Sequence, residues 1–467
     1  MTHGMPGYGY IFSTSNLIYT GMRLARGNSS WTSGADWGTM TDHRPPSMDG
    51  GAGTPVGIRA RAAAILAHPL TLPVYVPTML LAFCAGMLIP TLPIYARSFD
   101  VSYGVVGLVL AAEALGTLLG DVPAGILFGR LGMRRSMLTG LATLAAAVGL
   151  MGFAQNPWQL FVFSFTGGMG MALWNISRHA YLTDATPAYK RGTAIAVFGG
   201  INRIGTFLGP AVGGIIAATF DLRAPFWLYA GLAGAALIFP ALFARDDISP
   251  RSAHRGGVRG HTLHLWRVLH ENYRTLTPAG AGQLLAQMVR AARKIVVPLF
   301  GADILGLSVQ EIGWIVSLSS LVDMSLFPVA GTIMDRVGRK YAIVPCFLIQ
   351  GIAMALIPFT TGYYTFLAAT MLIGFGNGLG SGTMMTLGAD LAPKDSMGEF
   401  LGVWRLIGDA GQTGAPIAVG GVADLVGLAP ATFLMGGVGI AAAGVFLLFV
   451  PETLHNTRTQ AVSDAST

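Results

Sequence analysis

From about residue 73 the chain alternates between long apolar runs and short polar turns. A membrane-spanning helix needs roughly 20 predominantly apolar residues. Twelve stretches meet that need: 73–96, 103–128, 136–154, 159–182, 193–218, 224–244, 278–301, 310–333, 341–360, 364–388, 399–422 and 429–450. Hydrocarbon offers no partner to an unpaired backbone amide, so each run is read as a helix that satisfies its own. The pattern predicts an all-α membrane protein of twelve transmembrane helices. Residues 1–70 break the pattern: they are rich in Gly, Ser, Thr and Pro, with apolar content too scattered to span or to fold. They read as a disordered cytoplasmic tail, and no apolar core followed by a small-residue cleavage site marks a signal peptide. A second polar interruption, 246–275, separates six spans from six, and its "HTLHLWRVLHENY" part has apolar spacing suited to the membrane surface. The expected organisation is a tail (1–70), a six-helix bundle (71–245), a cytoplasmic central loop (246–275), a second bundle (276–452) and a C-terminal tail (453–467).

Composition supports the bilayer. Of 467 residues, 52% are hydrophobic and 11% charged, against about 25% charged in soluble proteins. The excess of 29 basic over 22 acidic residues is dealt out in small groups between apolar runs, which excludes a nucleic-acid surface. The placement of those groups sets the topology. Arg130, Arg134 and Arg135, the group from Arg245 to Arg274, Arg336, Arg339 and Lys340, and also Lys190, Arg191 and Lys394 fall on one side, while the opposite turns hold Arg97 and Arg223. By the positive-inside rule both termini are expected in the cytoplasm, with the protein in the cell (inner) membrane. Cys84 and Cys346 lie in apolar runs with no metal-ligand spacing, and of nine histidines only His179 lies near a span. No cofactor, no metal site and no nucleophile–base cluster is read, so an enzyme is not expected.

The two halves repeat at an offset of 206 residues. Gly107 matches Gly313, Gly125 matches Gly331, and Asp184, Pro187 and Gly192 match Asp390, Pro393 and Gly398. Gly205 and Pro210 match Gly411 and Pro416, whereas Gly213–Gly214 fall on Val419–Gly420, an approximate match. Inside the repeat sit two copies of a charged turn, "GILFGRLGMRRSM" (125–137) and "GTIMDRVGRKYAI" (331–343). Gly125, Arg130, Gly132 and Arg134 mark the first; Gly331, Asp335, Arg336, Gly338 and Arg339 mark the second. Gly331 allows close helix approach, the cations hold the turn on the cytoplasmic side, and Asp335 can face the positive end of a helix. The first copy has Gly129 where the second has Asp335. An asymmetric gate follows, with Asp335 expected near Lys190–Gly192 at the start of the fifth span.

Two such halves resemble the major facilitator superfamily over residues 73–452. The phrase "GTFLGPAVGG" (205–214) in the fifth span resembles the signature of its drug:proton antiporters, and "AGMLIPTLPIYA" in the first span is similar to those exporters. The resemblance implies two pseudo-symmetric six-helix bundles that bind a small molecule between them and expose it alternately to either side. It also implies a proton as coupling ion, a lipid bilayer and no nucleic acid as surroundings, and a monomer. Asp335 is then expected to hold the cytoplasmic side shut when the cavity faces outward. Gly205, Gly209 and Gly213 share one helical face, Pro210 bends the helix and Gly214 follows, so this face is expected to seal against a neighbour. One departure is plain: Ser164 stands where the family's fourth-span motif has an arginine.

Ionisable residues at membrane depth are costly and mark functional sites. The acids are Glu113, Asp121, Asp323 and Asp409; the bases are Arg178, Arg203, Arg290, Arg293, Lys294 and Arg405. Asp323 lies 12 residues from Asp335, about 18 Å along a helix and near the midplane. Arg203 and Asp409 occupy equivalent depths in the two halves and are expected as a cross-cavity pair or two ends of one relay. Glu113 is expected nearer the outer surface, and Arg178 to reach back to the inner interface. Gln283, Gln287, Arg290 and Lys294 form a polar stripe on the seventh span that must avoid lipid. Asp121, Arg203, Gln287, Arg290, Lys294, Asp323, Arg405 and Asp409 are the expected substrate and proton pathway, with Asp121, Asp323 and Asp409 as proton sites. The antiporter signature points to a proton-coupled exporter of drug-like or metabolite substrates. The surplus of bases instead favours a neutral or anionic cargo, and leaves a symporter or uniporter for an organic anion or polar metabolite as the alternative.

Overall fold

The computed structural model describes residues 70–186, 191–244, 273–393 and 396–454. Among them stand twelve helices and no strand. Residues 1–69, 245–272 and 455–467, which hold most of the expected tails and central loop, lie outside the described residues, as do Lys190 and Lys394. The first six helices are α1 (Val76–Arg97, entered through a π-turn at Thr71–Tyr75), α2 (Tyr103–Leu131), α3 (Met133–Met151), α4 (Pro157–Asp184), α5 (Arg191–Thr219) and α6 (Ala224–Phe243). The second six are α7 (Tyr273–Leu299), α8 (Val309–Ser325 continued by Phe327–Arg336), α9 (Lys340–Leu356), α10 (Tyr363–Leu379 continued by Thr383–Leu391), α11 (Met397–Val426) and α12 (Leu428–Phe449). Every expected span coincides with one of these.

Eight of the twelve are long and apolar enough to cross a membrane on length and composition alone. The other four have visible reasons. The α3 helix opens on Arg134 and Arg135, α7 and α11 carry ions in mid-helix, and α10 is interrupted at Gly380–Gly382. Caps fix several starts. Ser102 accepts from the Val105 amide and Asn156 from that of Gln159, and Ser308 and Glu311 cap each other's backbone. Both charged turns pivot on glycines in the left-handed region, Gly132 at φ +78° and Gly338 at φ +149°.

The 206-residue offset is written into the contacts. A β-carbon on Gly168 would lie 2.1 Å from the Glu113 carbonyl oxygen, and one on Gly374 would lie 2.2 Å from that of Ser319. Arg134 donates to the Ala241 carbonyl as Lys340 donates to that of Leu447. Gly107 of α2 meets the Pro416 carbonyl of α11, and Gly313 of α8 meets that of Pro210 in α5. The molecule is two pseudo-symmetric six-helix bundles, α1–α6 and α7–α12.

The last pair of contacts joins the bundles, and it lies at the end away from the basic turns. There Gly107, Gly214, Gly313 and Gly420 bring α2 against α11 and α5 against α8 so closely that a β-carbon on any of them would strike backbone. Arg97 Nε bonds Asp303 Oδ2 at 3.1 Å, and Asp424 accepts from the Gly104 amide at 3.0 Å, closing the same end. Toward the basic turns the same four helices part. Around Gly125 and Gly129 of α2, Gly199 and Gly200 of α5, Gly331 of α8, and Gly398 and Gly402 of α11, a β-carbon would meet nothing within 4 Å. The bundles are sealed at one end and splayed at the other.

Candidate functional site

Between the sealed layer and the open end lies a cavity of about 210 Å³. Its walls are α5, α7, α10 and α11, and four of its lining residues are the bases Arg203, Arg290, Arg293 and Lys294. Asp323 of α8 anchors the bundle interface beside it. Arg203 reaches from α5 to Asp323 at 3.1 Å and to Ser381 Oγ at 2.9 Å. Asn377 donates to the other Asp323 oxygen at 2.7 Å, and Arg293 stands 4.0 Å from it. Asp323 is thus surrounded by donors from α5, α7 and α10.

Arg290 sits differently. Its Nη2 donates to the Gly380 carbonyl at 2.9 Å, where the first piece of α10 ends, and its guanidinium lies over the Phe347 ring at 5.0 Å. That end is the negative end of a helix, so a cation there is favourable. Its Nε is buried with no hydrogen-bond partner. The break at Gly380–Gly382 faces the cavity, with Gly382 at φ +79° starting the second piece. The glycine-rich phrase "GFGNGLGSG" (374–382) is therefore a broken helix at a cavity wall. Lys294 makes no ion pair within 4 Å among the described residues and faces Glu113 of α2 electrostatically.

A second cluster joins α2 to α11. Arg405 stands 3.7 Å from Asp121 across the bundle boundary and 3.4 Å from Asp409 on its own helix. Gln412 approaches Asp409 at 3.5 Å. Arg203 and Asp409, expected as a cross-cavity pair or as two ends of one relay, are not paired: each takes an ion from the helix it packs against or belongs to. Arg178 also differs from expectation. It does not extend to the interface; it is buried, bonded to Asn175 at 2.8 Å, with its guanidinium 4.5 Å from the Phe198 ring centre and 5.6 Å from that of Trp174. Glu113 also lines a smaller, largely apolar pocket inside the first bundle, with Leu88, Leu144 and Tyr229. Gln283 and Gln287 turn toward Gly408 and Gly411 of α11, so only the Arg290–Lys294 part of the stripe faces the cavity.

The remaining expected residues fall in two places. Gly205, Gly209 and Gly213 press on α1 at Phe83, Gly86 and Met87, while Gly214 meets α8 at Val309. In the second charged turn Asp335 accepts from Arg339 at 3.0 Å, and Arg339 bonds Asp390 at 2.9 Å. Two groups there were not foreseen. Glu452 accepts from the Arg339 and Lys340 amides at 2.9 and 3.0 Å, capping α9, and Thr453 donates to Asp390 at 2.7 Å. Partial burial pushes the Glu452 carboxyl up, but amide donation from Leu454, Lys340, Arg339 and Thr453 outweighs it and holds the group below its ordinary value. Asn377 and Ser381 were likewise not singled out, although both stand inside the glycine-rich phrase.

The family profile described as Major Facilitator Superfamily matches residues 75–288 and again 279–465. Among curated relatives, an MFS-type transporter of Methanocaldococcus jannaschii is 20% identical over 76% of this chain and 92% of its own length. Multidrug resistance protein 2 of Bacillus subtilis is 24% identical over 62% of this chain and 72% of its own. Among solved structures, a bacterial homolog of the human lysosomal transporter Spinster, inward-facing and unoccupied, superimposes with a TM-score of 0.67. It shares 15% identity over 83% of this chain and 96% of its own.

Proposed function

This chain belongs to the major facilitator superfamily, a membrane transporter and not an enzyme; on that premise we propose a proton-coupled exporter of metabolite or drug-like molecules working by alternating access. One observation carries the reading. Each of α2, α5, α8 and α11 is tight against the other bundle at one end and free at the other, the geometry of a cavity open to one side. With the basic turns cytoplasmic, the open side is the inner one, and the molecule rests inward-facing in the cell membrane, as a monomer. Rocking of the halves, each moving as one body, would close the inner end and part the outer glycine layer.

Support for export with proton exchange comes from the "GTFLGPAVGG" phrase, whose dry face on α1 would limit ion leak, and from the relatives named for multidrug resistance. Support for coupling comes from Asp323, Asp121 and Asp409, carboxylates at membrane depth that each touch an arginine. Protonation of Asp323 would release Arg203 and weaken the tie between α5 and α8. In the outward-facing state Asp335 would leave Arg339 and face the start of α5, shutting the inner side. The cation-rich cavity favours an acidic cargo over a lipophilic cation, and so gives the anion symporter or uniporter its one specific support.

The test is transport in proteoliposomes under an imposed pH gradient, with wild type, Asp323→Asn and Asp409→Asn. Cargo movement opposite to the proton flow, lost in at least one variant, is the expected result. Movement in the same direction as protons would establish symport instead. Coupling untouched in both variants would remove these two acids from the proton path.

A further inference from the structure

Charge bookkeeping around the central cavity leaves a remainder. Four cations, Arg203, Arg290, Arg293 and Lys294, line it. Asp323 answers Arg203 at 3.1 Å, with Arg293 on its far oxygen at 4.0 Å, and Glu113 answers Lys294 across the bundle boundary. The Asp121–Arg405–Asp409 cluster makes no ion pair within 4 Å with these four cations among the described residues, and over the whole membrane depth the six bases outnumber the four acids by two. Two positive charges therefore stay uncompensated at a depth where an unpaired ion is expensive. Donors on this wall are unfinished too. Arg290 Nε is buried and makes no hydrogen bond. Lys294 has three N–H donors and no ion pair within 4 Å among the described residues.

Three further features point to what completes them. The helix piece Thr383–Leu391 begins at Gly382 on the cavity wall with no side-chain cap, so its positive end adds to the field. Arginine forks match the oxygens of phosphate and carboxylate groups two at a time. And the cavity, at about 210 Å³, is smaller than the ~300–1,000 Å³ typical of drug-sized ligand sites.

We propose that the wall formed by Arg290, Arg293, Lys294 and the α10 break is a binding subsite for a compact dianion, a phosphate monoester or a dicarboxylate. This rests on the transporter reading above and narrows its cargo. Neither a lipophilic cation nor a bulky neutral drug fits such a wall, since both leave the two charges desolvated and unmatched.

The full-length protein in nanodiscs, titrated at constant ionic strength with phenyl phosphate, succinate, benzoate and tetraphenylphosphonium, tests the proposal through equilibrium binding. Phenyl phosphate or succinate should bind at least tenfold more tightly than benzoate, and tetraphenylphosphonium should not compete. Whichever of the two dianions wins identifies the cargo's acid group. Lys294→Gln, which breaks no ion pair within 4 Å, should weaken the dianion at least tenfold with an unchanged melting profile, and Arg290→Gln, which also loses its bond to the Gly380 carbonyl, should weaken it at least tenfold in protein that still folds. Unchanged dianion affinity in folded Lys294→Gln and Arg290→Gln would overturn the proposal, as would tighter binding of tetraphenylphosphonium than of either dianion. Binding is read without any gradient, so the two readings fail separately. Dianion binding with no movement in liposomes removes the carrier; gradient-driven movement of a cation without dianion binding removes this subsite.

Discussion

A single methyl group at Gly107 should turn the resting molecule around. Gly107 lies where α2 crosses α11, and a β-carbon there would stand 2.2 Å from the Pro416 carbonyl oxygen and 3.0 Å from its carbon. Neither neighbour is a side chain that can swing aside, so relief requires the helices to separate by roughly 1 Å, at the ~1–3 kcal/mol of an overpacked contact. That contact exists only while the outer end is sealed. In the opposite state the helices part and the methyl group costs nothing there. Gly107→Ala should therefore shift the equilibrium toward the outward-open form by about 5- to 150-fold, leaving each bundle intact. Gly313→Ala, with its β-carbon 2.5 Å from the Pro210 carbonyl oxygen, should act in the same direction through the pseudo-symmetric contact. Gly125→Ala, with nothing within 4 Å, is the matched control. Spin labels on the outer ends of α2 and α11 read the distance directly. An unchanged distance distribution in both Gly107→Ala and Gly313→Ala would refute the reasoning, since the tight layer would then not be what holds the outer end shut.

Three further outcomes follow from contacts at the two ends. Asp424→Ala removes the carboxylate that accepts from the Gly104 amide at the start of α2; losing a charge-assisted bond of ~1.5–3 kcal/mol should open the outer end by about 10- to 150-fold, read by thiol labelling there. Asp335→Asn should raise the inward-facing fraction and slow transport, if the acid reaches the start of α5 in the other state; unchanged transport with an unchanged balance of states would count against the latch. Glu452→Gln should cost ~1–2 kcal/mol of thermal stability at pH 7, because solvent screens part of its bonding. Its carboxyl is held below the ordinary value, so its contribution is present above about pH 4.3 and is lost as pH falls through the folded value. Wild-type and variant melting curves should converge in acid.

The helices were legible in the sequence because lipid forces every span to be long, apolar and self-bonded, and all twelve appear where the apolar runs lie. The repeat was legible too, and the structure adds that Gly107–Pro416 and Gly313–Pro210 are one contact used twice. Depth could be read from the helical rise, which is why Arg203, Asp323, Asp121 and Arg405 were all picked out. Partnership could not. It depends on which helices touch and how each is rotated: Arg203 and Asp409 share a depth, but α5 packs on α8 while α11 packs on α2. Arg178 was misplaced for a related reason. Trp174 on its own helix was visible at helical spacing, but Phe198 arrives from α5. Glu452 lies beyond the last span, and only the folded chain brings it back to the start of α9.

The polarity of the two bridges between bundles decides which halves can pair. On one side the first half supplies the cation, Arg203, and the second the acid, Asp323; on the other the first supplies the acid, Asp121, and the second the cation, Arg405. The counterparts of Asp323 and Arg405 in the first half are Thr117 and Gly199. Two copies of the first half facing each other would set Thr117 opposite Arg203 and Gly199 opposite Asp121, so neither bridge could form as it stands. Each bridge needs a residue that only the second half carries, Asp323 in one and Arg405 in the other, so these ties join unlike halves and not like ones.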